Sequence, residues 1–238
     1  MNLIKVIFTF FACALPLCGN AQTLLTEFNN GLYDTGLGNA TAGNNATTLN
    51  GGDSDTHYVL TSLPGGASVT AGSDALVVHQ ANLPAAWVAN DTGATPPSRW
   101  DSSSATAANQ PAGTYDYALT LTNIPVNSLV SISGNIAADN QVNILANGTV
   151  VFSLTTNANY DTALNPFSFT FNSSTLSTTD TLSFNVINTG NSATGLQVQG
   201  LAGNYTPVPE PRQSMALILL FVGAIVAVRK LQTRSKLS

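Results

Sequence analysis

Between Gln22 and Tyr205 the sequence contains no cysteine, no lysine and a single arginine, Arg99. The only cysteines of the chain, Cys13 and Cys18, precede this stretch, so no disulfide can staple it and its stability must come from a packed core. Its 184 residues are enough for one domain with a substantial interior. One base faces eleven acids, a net charge of minus 10. Such a surface repels phosphate, which argues against nucleic acid as a partner, and it offers no basic patch to anionic lipid. Neutral sugars, divalent cations and matrix components remain as company. The other polar residues are Asn, Thr, Ser and Gln, which hydrogen-bond without charge.

Catalytic patterns are also missing. The sequence has no Gly-x-Ser-x-Gly elbow, no His-Glu-x-x-His helix and no Ser-x-x-Lys pair, and Glu27 is the only glutamate before the C-terminal segment. A pair of glycosidase carboxylates is the one hydrolytic arrangement such an acid-rich chain leaves open, as a less favoured reading than a non-enzymatic role.

What is present is concentrated first at the two ends. Lys5 precedes the apolar run IFTFFACAL, and Gly19 and Ala21 supply small residues before a cut after Ala21, so residues 1–21 are expected to be a secretory signal peptide and signal peptidase a partner. At the other end, Gln213 to Val228 is sixteen residues without a charge. As a helix it would measure about 24 Å against a hydrocarbon core of roughly 30 Å, a short transmembrane span. Arg229, Lys230, Arg234 and Lys236 follow, and the positive-inside rule places them in the cytoplasm with the domain outside. Ahead of the span, Pro207, Pro209 and Pro211 favour an extended, exposed peptide that a processing enzyme could grip.

Val208-Pro209-Glu210-Pro211, the apolar segment and the terminal basic cluster, together with a signal peptide, resemble the PEP-CTERM sorting signal of bacterial exported proteins. The resemblance covers residues 206–238: the Pro-rich motif at 206–212, the transmembrane helix at 213–228 and the basic tail at 229–238. It implies recognition by exosortase, a membrane-embedded cysteine protease or transpeptidase, transient residence in the inner membrane, and then the cell surface or an extracellular matrix rich in exopolysaccharide.

In the exported domain, residues 22–205, the first part (22–52) is rich in Gly, Asn and Thr and reads as loop, with one strand around Thr23 to Phe28. Regular structure should begin near His57. Alternation with a period of two places Tyr115, Tyr117, Leu119 and Leu121 on one face, as it does Val130, Ile132 and Ile136; Phe167, Phe169 and Phe171; and Leu182, Phe184 and Val186. Asn147-Gly148 between two apolar runs predicts a tight hairpin. Eight to ten antiparallel strands without a helical period predict an all-β sandwich or barrel. The order of DTHYVLTSLPGG, AAWVAND, SRWD, AGTYDYALTL, IAADNQVNILANG and LSFNVINTGNSATGLQVQGLAGNY is similar to the galactose-binding-like jelly-roll domains common in PEP-CTERM proteins. That likeness implies an antiparallel jelly-roll-like sandwich, and Asp101 departs from it, standing where an apolar residue is expected.

Three groups of residues could carry chemistry. Asp53, Asp55 and His57, spaced by two, would point to one side of an extended segment, as a calcium or transition-metal site wants, or else form a polar turn into the first strand. Trp87 and Trp100 with Arg99 could stack on and hydrogen-bond a sugar ring, or be core. Asp139 and Asn140 could hold calcium or sugar hydroxyls, or close the turn before a strand. No cofactor is otherwise called for. The expected function is a non-enzymatic matrix or surface protein, with a carbohydrate-binding module as the alternative.

Overall fold

The computed structural model describes residues 22–25, 31–38, 47–90, 97–156, 159–161 and 163–207. The expected signal peptide, the Val208–Pro211 motif, the apolar segment and the basic cluster lie outside these residues. Gln22–Thr206 forms one compact unit. Among the described residues no helix is long and apolar enough to cross a membrane.

The fold is all-β, as the alternation demands. Its strands are β1 (Thr23–Leu25), β2 (Ser54–Ser62), β3 (Ser73–Val77), β4 (Asp101–Ser102), β5 (Gly113–Leu121), β6 (Leu129–Asp139), β7 (Gln141–Ala146), β8 (Thr149–Leu154), β9 (Asn165–Asn172), β10 (Asp180–Asn188) and β11 (Gly195–Thr206). The eleven strands among the described residues exceed the eight to ten expected, because β4 is a two-residue strand too short to leave a periodic trace. The only helical element among the described residues is one 3-10 turn, Gln80–Asn82. Every pairing is antiparallel, along the path β8-β7-β10-β5-β2-β3-β4-β11-β6-β9, with β1 joining the edge of β11 beyond β4. The path curls until its ends meet, the rings of Phe152 on β8 and Phe167 on β9 standing 5.9 Å apart. The β7–β8 hairpin turns at Asn147 and Gly148, whose φ angles of 48° and 78° are both positive, as a tight two-residue turn of this hand requires.

The faces that alternate in sequence meet inside. Tyr115, Tyr117, Leu119 and Leu121 of β5, Leu182, Phe184 and Val186 of β10 and Val130, Ile132 and Ile136 of β6 are all buried in one core. Each such side chain contributes ~1.5–3 kcal/mol relative to exposure, which is how a chain without disulfides holds together. A smaller cluster joins Val78, Trp87, Trp100 and Ala107, from the stretch between β3 and β5, to Ala137 of β6.

The loop-rich lead-in is more structural than its composition suggested. Leu32 and Leu37 are fully buried. Between them, the Asp34 carboxylate accepts the amides of Gly200 and Leu201, each at 2.8 Å. Thr35 accepts the Val198 amide through Oγ1 at 3.0 Å and donates its own amide to the Val198 carbonyl at 3.2 Å. The segment thus clamps β11 where its register against β6 shifts between Gln199 and Ala202.

Candidate functional site

Of the residues expected to form a metal arm, Asp55 and His57 meet inside while Asp53 faces solvent. Asp53 lies in the turn ahead of β2, which begins at Ser54, so the alternation of the strand does not extend to it. Asp53 stays exposed and its Oδ2 accepts the Asn50 amide at 2.8 Å, closing the turn. Asp55 turns inward and is fully buried; its Oδ2 accepts the Gly36 amide at 2.7 Å and its Oδ1 the His57 amide at 3.0 Å. His57 stacks on Tyr33 with ring centroids 3.6 Å apart, and its Nδ1 lies 3.0 Å from the Leu37 carbonyl oxygen and 3.2 Å from Asp55 Oδ1. Among the described residues no three acidic or histidine side chains gather as a metal site would need.

What Asp55 meets instead is Asp101. Asp101 is fully buried on β4, and both of its oxygens lack a donor among the described residues, as does the hydroxyl of Tyr117. Burial pushes the Asp101 carboxyl well above the usual carboxylate range; the charge of Asp55 and a hydrogen bond with it push further, against a smaller opposing pull from the Gly36 amide. The Asp101 carboxyl is thus held protonated against Asp55, which already accepts two amides. Burial also raises the Tyr117 phenol. Sequence comparison marked Asp101 as a departure; only the fold shows that the departure faces a second acid.

The tryptophan platform is corrected as well. Trp87 is 7 % exposed and Trp100 not at all. Their ring centroids are 4.1 Å apart, so each covers the other. Both indole N–H groups are engaged, Trp87 with Asp139 Oδ2 at 2.9 Å and Trp100 with the Val88 carbonyl at 2.8 Å. Neither ring presents a face for a sugar. Arg99 is half-buried; its backbone N–H and C=O are tied to Thr35 and its side-chain stem lies against Gly36, where a Cβ would come within 2.5 Å.

Asp139 and Asn140 act as turn closers. Asp139 accepts Asn140 Nδ2 as well as Trp87, and burial raises its carboxyl to about 6 against the Trp87 bond. Asn140 Oδ1 accepts both the amide and the hydroxyl of Thr189, each at 3.0 Å. The oxygens proposed for calcium or sugar are thus occupied by the protein itself.

A set of residues that sequence reading passed over lies on the outer face of the β2-β5-β10-β7-β8 layer. Asp116 pairs with Asn185, Asn185 with Asn143, and Asn143 with Ser153, while Thr61 donates to Asp116 Oδ2 at 2.7 Å. Five strands therefore contribute one polar side chain each to a single row. Alternation alone marks each as outward, but their alignment is a matter of register.

The sequence matches no protein-family model and no curated protein. Among solved structures, the fold is similar to a family 35 carbohydrate-binding module from an environmental isolate, at 9 % identity and a TM-score of 0.31, covering 67 % of this chain and 97 % of that one. It is also similar to the CBM36-1 domain of a multidomain xylanase from the hindgut metagenome of Trinervitermes trinervoides, at 10 % identity and a TM-score of 0.26, covering 51 % of this chain and 86 % of that one. Likenesses this distant carry no argument about ligand or activity.

Proposed function

We propose that the protein is an exported, non-enzymatic β-sandwich that exosortase sorts through its Pro-Glu-Pro motif and that binds neutral polysaccharide at the cell surface or in the extracellular matrix. The observation that carries the binding role is where the acids go. Asp34, Asp55, Asp101, Asp139 and Asp180 are buried, and all but Asp101 accept hydrogen bonds from backbone amides or neighbouring side chains. Beside the exposed Asp53 and Asp161, the described surface carries many Asn, Ser and Thr side chains, groups that pair with sugar hydroxyls. The same observation disfavours hydrolysis. Asp55 and Asp101, the pair that the fold brings into contact, are sealed from any substrate, whereas glycosidase carboxylates flank a cleft at about 5–10 Å from each other.

The order of features at residues 206–238 supports the sorting half of the proposal. The binding half is tested by electrophoresis of the full-length chain, in a detergent without a sugar head group, through gels cast with glucomannan, galactan or xyloglucan. Retardation by a neutral polysaccharide, and none by dextran sulfate, is expected. Equal mobility in every gel would remove the binding role.

A further inference from the structure

The polar row on the outer face has a length and a composition that suit one kind of ligand. Neighbouring strands lie ~4.8 Å apart, so Thr61, Asp116, Asn185, Asn143 and Ser153 span about 19 Å across the strands. The ends of the row are exposed and its middle is half-buried. Its internal hydrogen bonds run inward from the ends: Thr61 donates to Asp116 Oδ2, and Ser153 to Asn143 Oδ1 at 2.7 Å. Asp116 Oδ1 and Asn185 Oδ1 have no donor among the described residues, but both atoms are buried. The groups of the row most open to a ligand are the exposed Thr61 and Ser153 at its ends.

A second row runs beside the first. Ala118 on β5 pairs with Ser183, Ser183 with Leu145 on β7, and Leu145 with Val150 on β8, which is 55 % exposed. The two rows lie side by side, two positions apart on β5, β10 and β7 and three apart on β8.

We propose that this face is the polysaccharide track: a neutral chain lies across the strands with its hydroxyl edge on the Asp116–Asn185–Asn143 row and the C–H faces of its rings on Ala118, Leu145 and Val150. The inference rests on the carbohydrate-binding reading above and names its site. Charge selects the occupant. Asp116 in the row, on a domain of net charge minus 10, repels uronate or sulfate chains, and would meet its own copy in a two-fold dimer built on this face. The opposite layer has outward Ser and Thr too, Ser131 pairing with Thr170, but the β11 register shift at Gln199 to Ala202 interrupts that face.

The test is the retardation assay on full-length Asn185→Ala, Asn143→Ala and Thr170→Ala variants, with thermal melts beside it. Each row variant should weaken the apparent affinity about three- to tenfold, as the loss of one or two hydrogen bonds would, while Thr170→Ala on the other layer leaves it unchanged. If Asn185→Ala fails to fold, Asn185→Ser keeps a small polar group and serves in its place. Retardation of wild type with no change in the row variants overturns the track and leaves the binding role standing. No retardation of wild type overturns both. A dimer in sedimentation that the row variants dissociate would reassign the face to self-association and overturn the track.

Discussion

Asp101 on β4 turns its carboxyl against the carboxylate of Asp55 on β2, and both side chains are fully buried. Two acids in contact inside a protein cannot both be ionised without great cost, so one proton is bound as part of the fold. A group whose folded-state pKa is raised binds its proton more tightly when folded than when unfolded. Its contribution to stability is complete below the ordinary value of 3.8 and declines as pH rises through the folded-state value.

Asp101→Asn removes the need for that proton while keeping the shape and a donor toward Asp55. At pH 7 the variant should be more stable than wild type by about 1–3 kcal/mol, and the advantage should vanish near pH 3, where wild type carries the proton in both states. Denaturant unfolding at the two pH values measures this. An equal or lower stability at pH 7 would contradict the shared proton.

Asp139 gives the same sign in a narrower window. Its carboxyl is raised to about 6, so the stability it contributes is present below 3.8 and is lost as pH climbs through 6. In Asp139→Asn the fall in melting temperature between pH 4 and pH 7 should be smaller than in wild type. Identical slopes would show that Asp139 titrates normally.

Asp34→Ala should cost about 2–4 kcal/mol, because it leaves the amides of Gly200 and Leu201 without their acceptor at the irregular point of β11. The loss should appear in urea unfolding. A variant within half a kcal/mol of wild type would mean that the clamp contributes little.

Replacing Pro209, Glu210 and Pro211 together by Ala should leave export intact and hold the full-length protein in the inner membrane. Fractionation and the size of the protein in cells with and without exosortase are the measurement. Release of a processed form equally in both strains would end the sorting reading.

The sequence by itself determined the fold class and most of the core. A period of two is local, imposed by the pleat, so the inward faces of β5, β6 and β10 and the Asn147-Gly148 turn are legible wherever the strands finally pair. The features at the two ends are linear patterns that rest on the sequence alone and lie outside the described residues. Tertiary structure decided what those patterns cannot contain. The rings of Trp87 and Trp100 are large enough to be either platform or core, and only their mutual contact settles them as core. The spacing of Asp53, Asp55 and His57 promised a common side, but Asp53 falls in the turn ahead of β2 and Asp55 faces Asp101, 46 positions later in the chain. The row from Thr61 to Ser153 exists only through strand register, a long-range property fixed by how five separate segments bury their opposite faces.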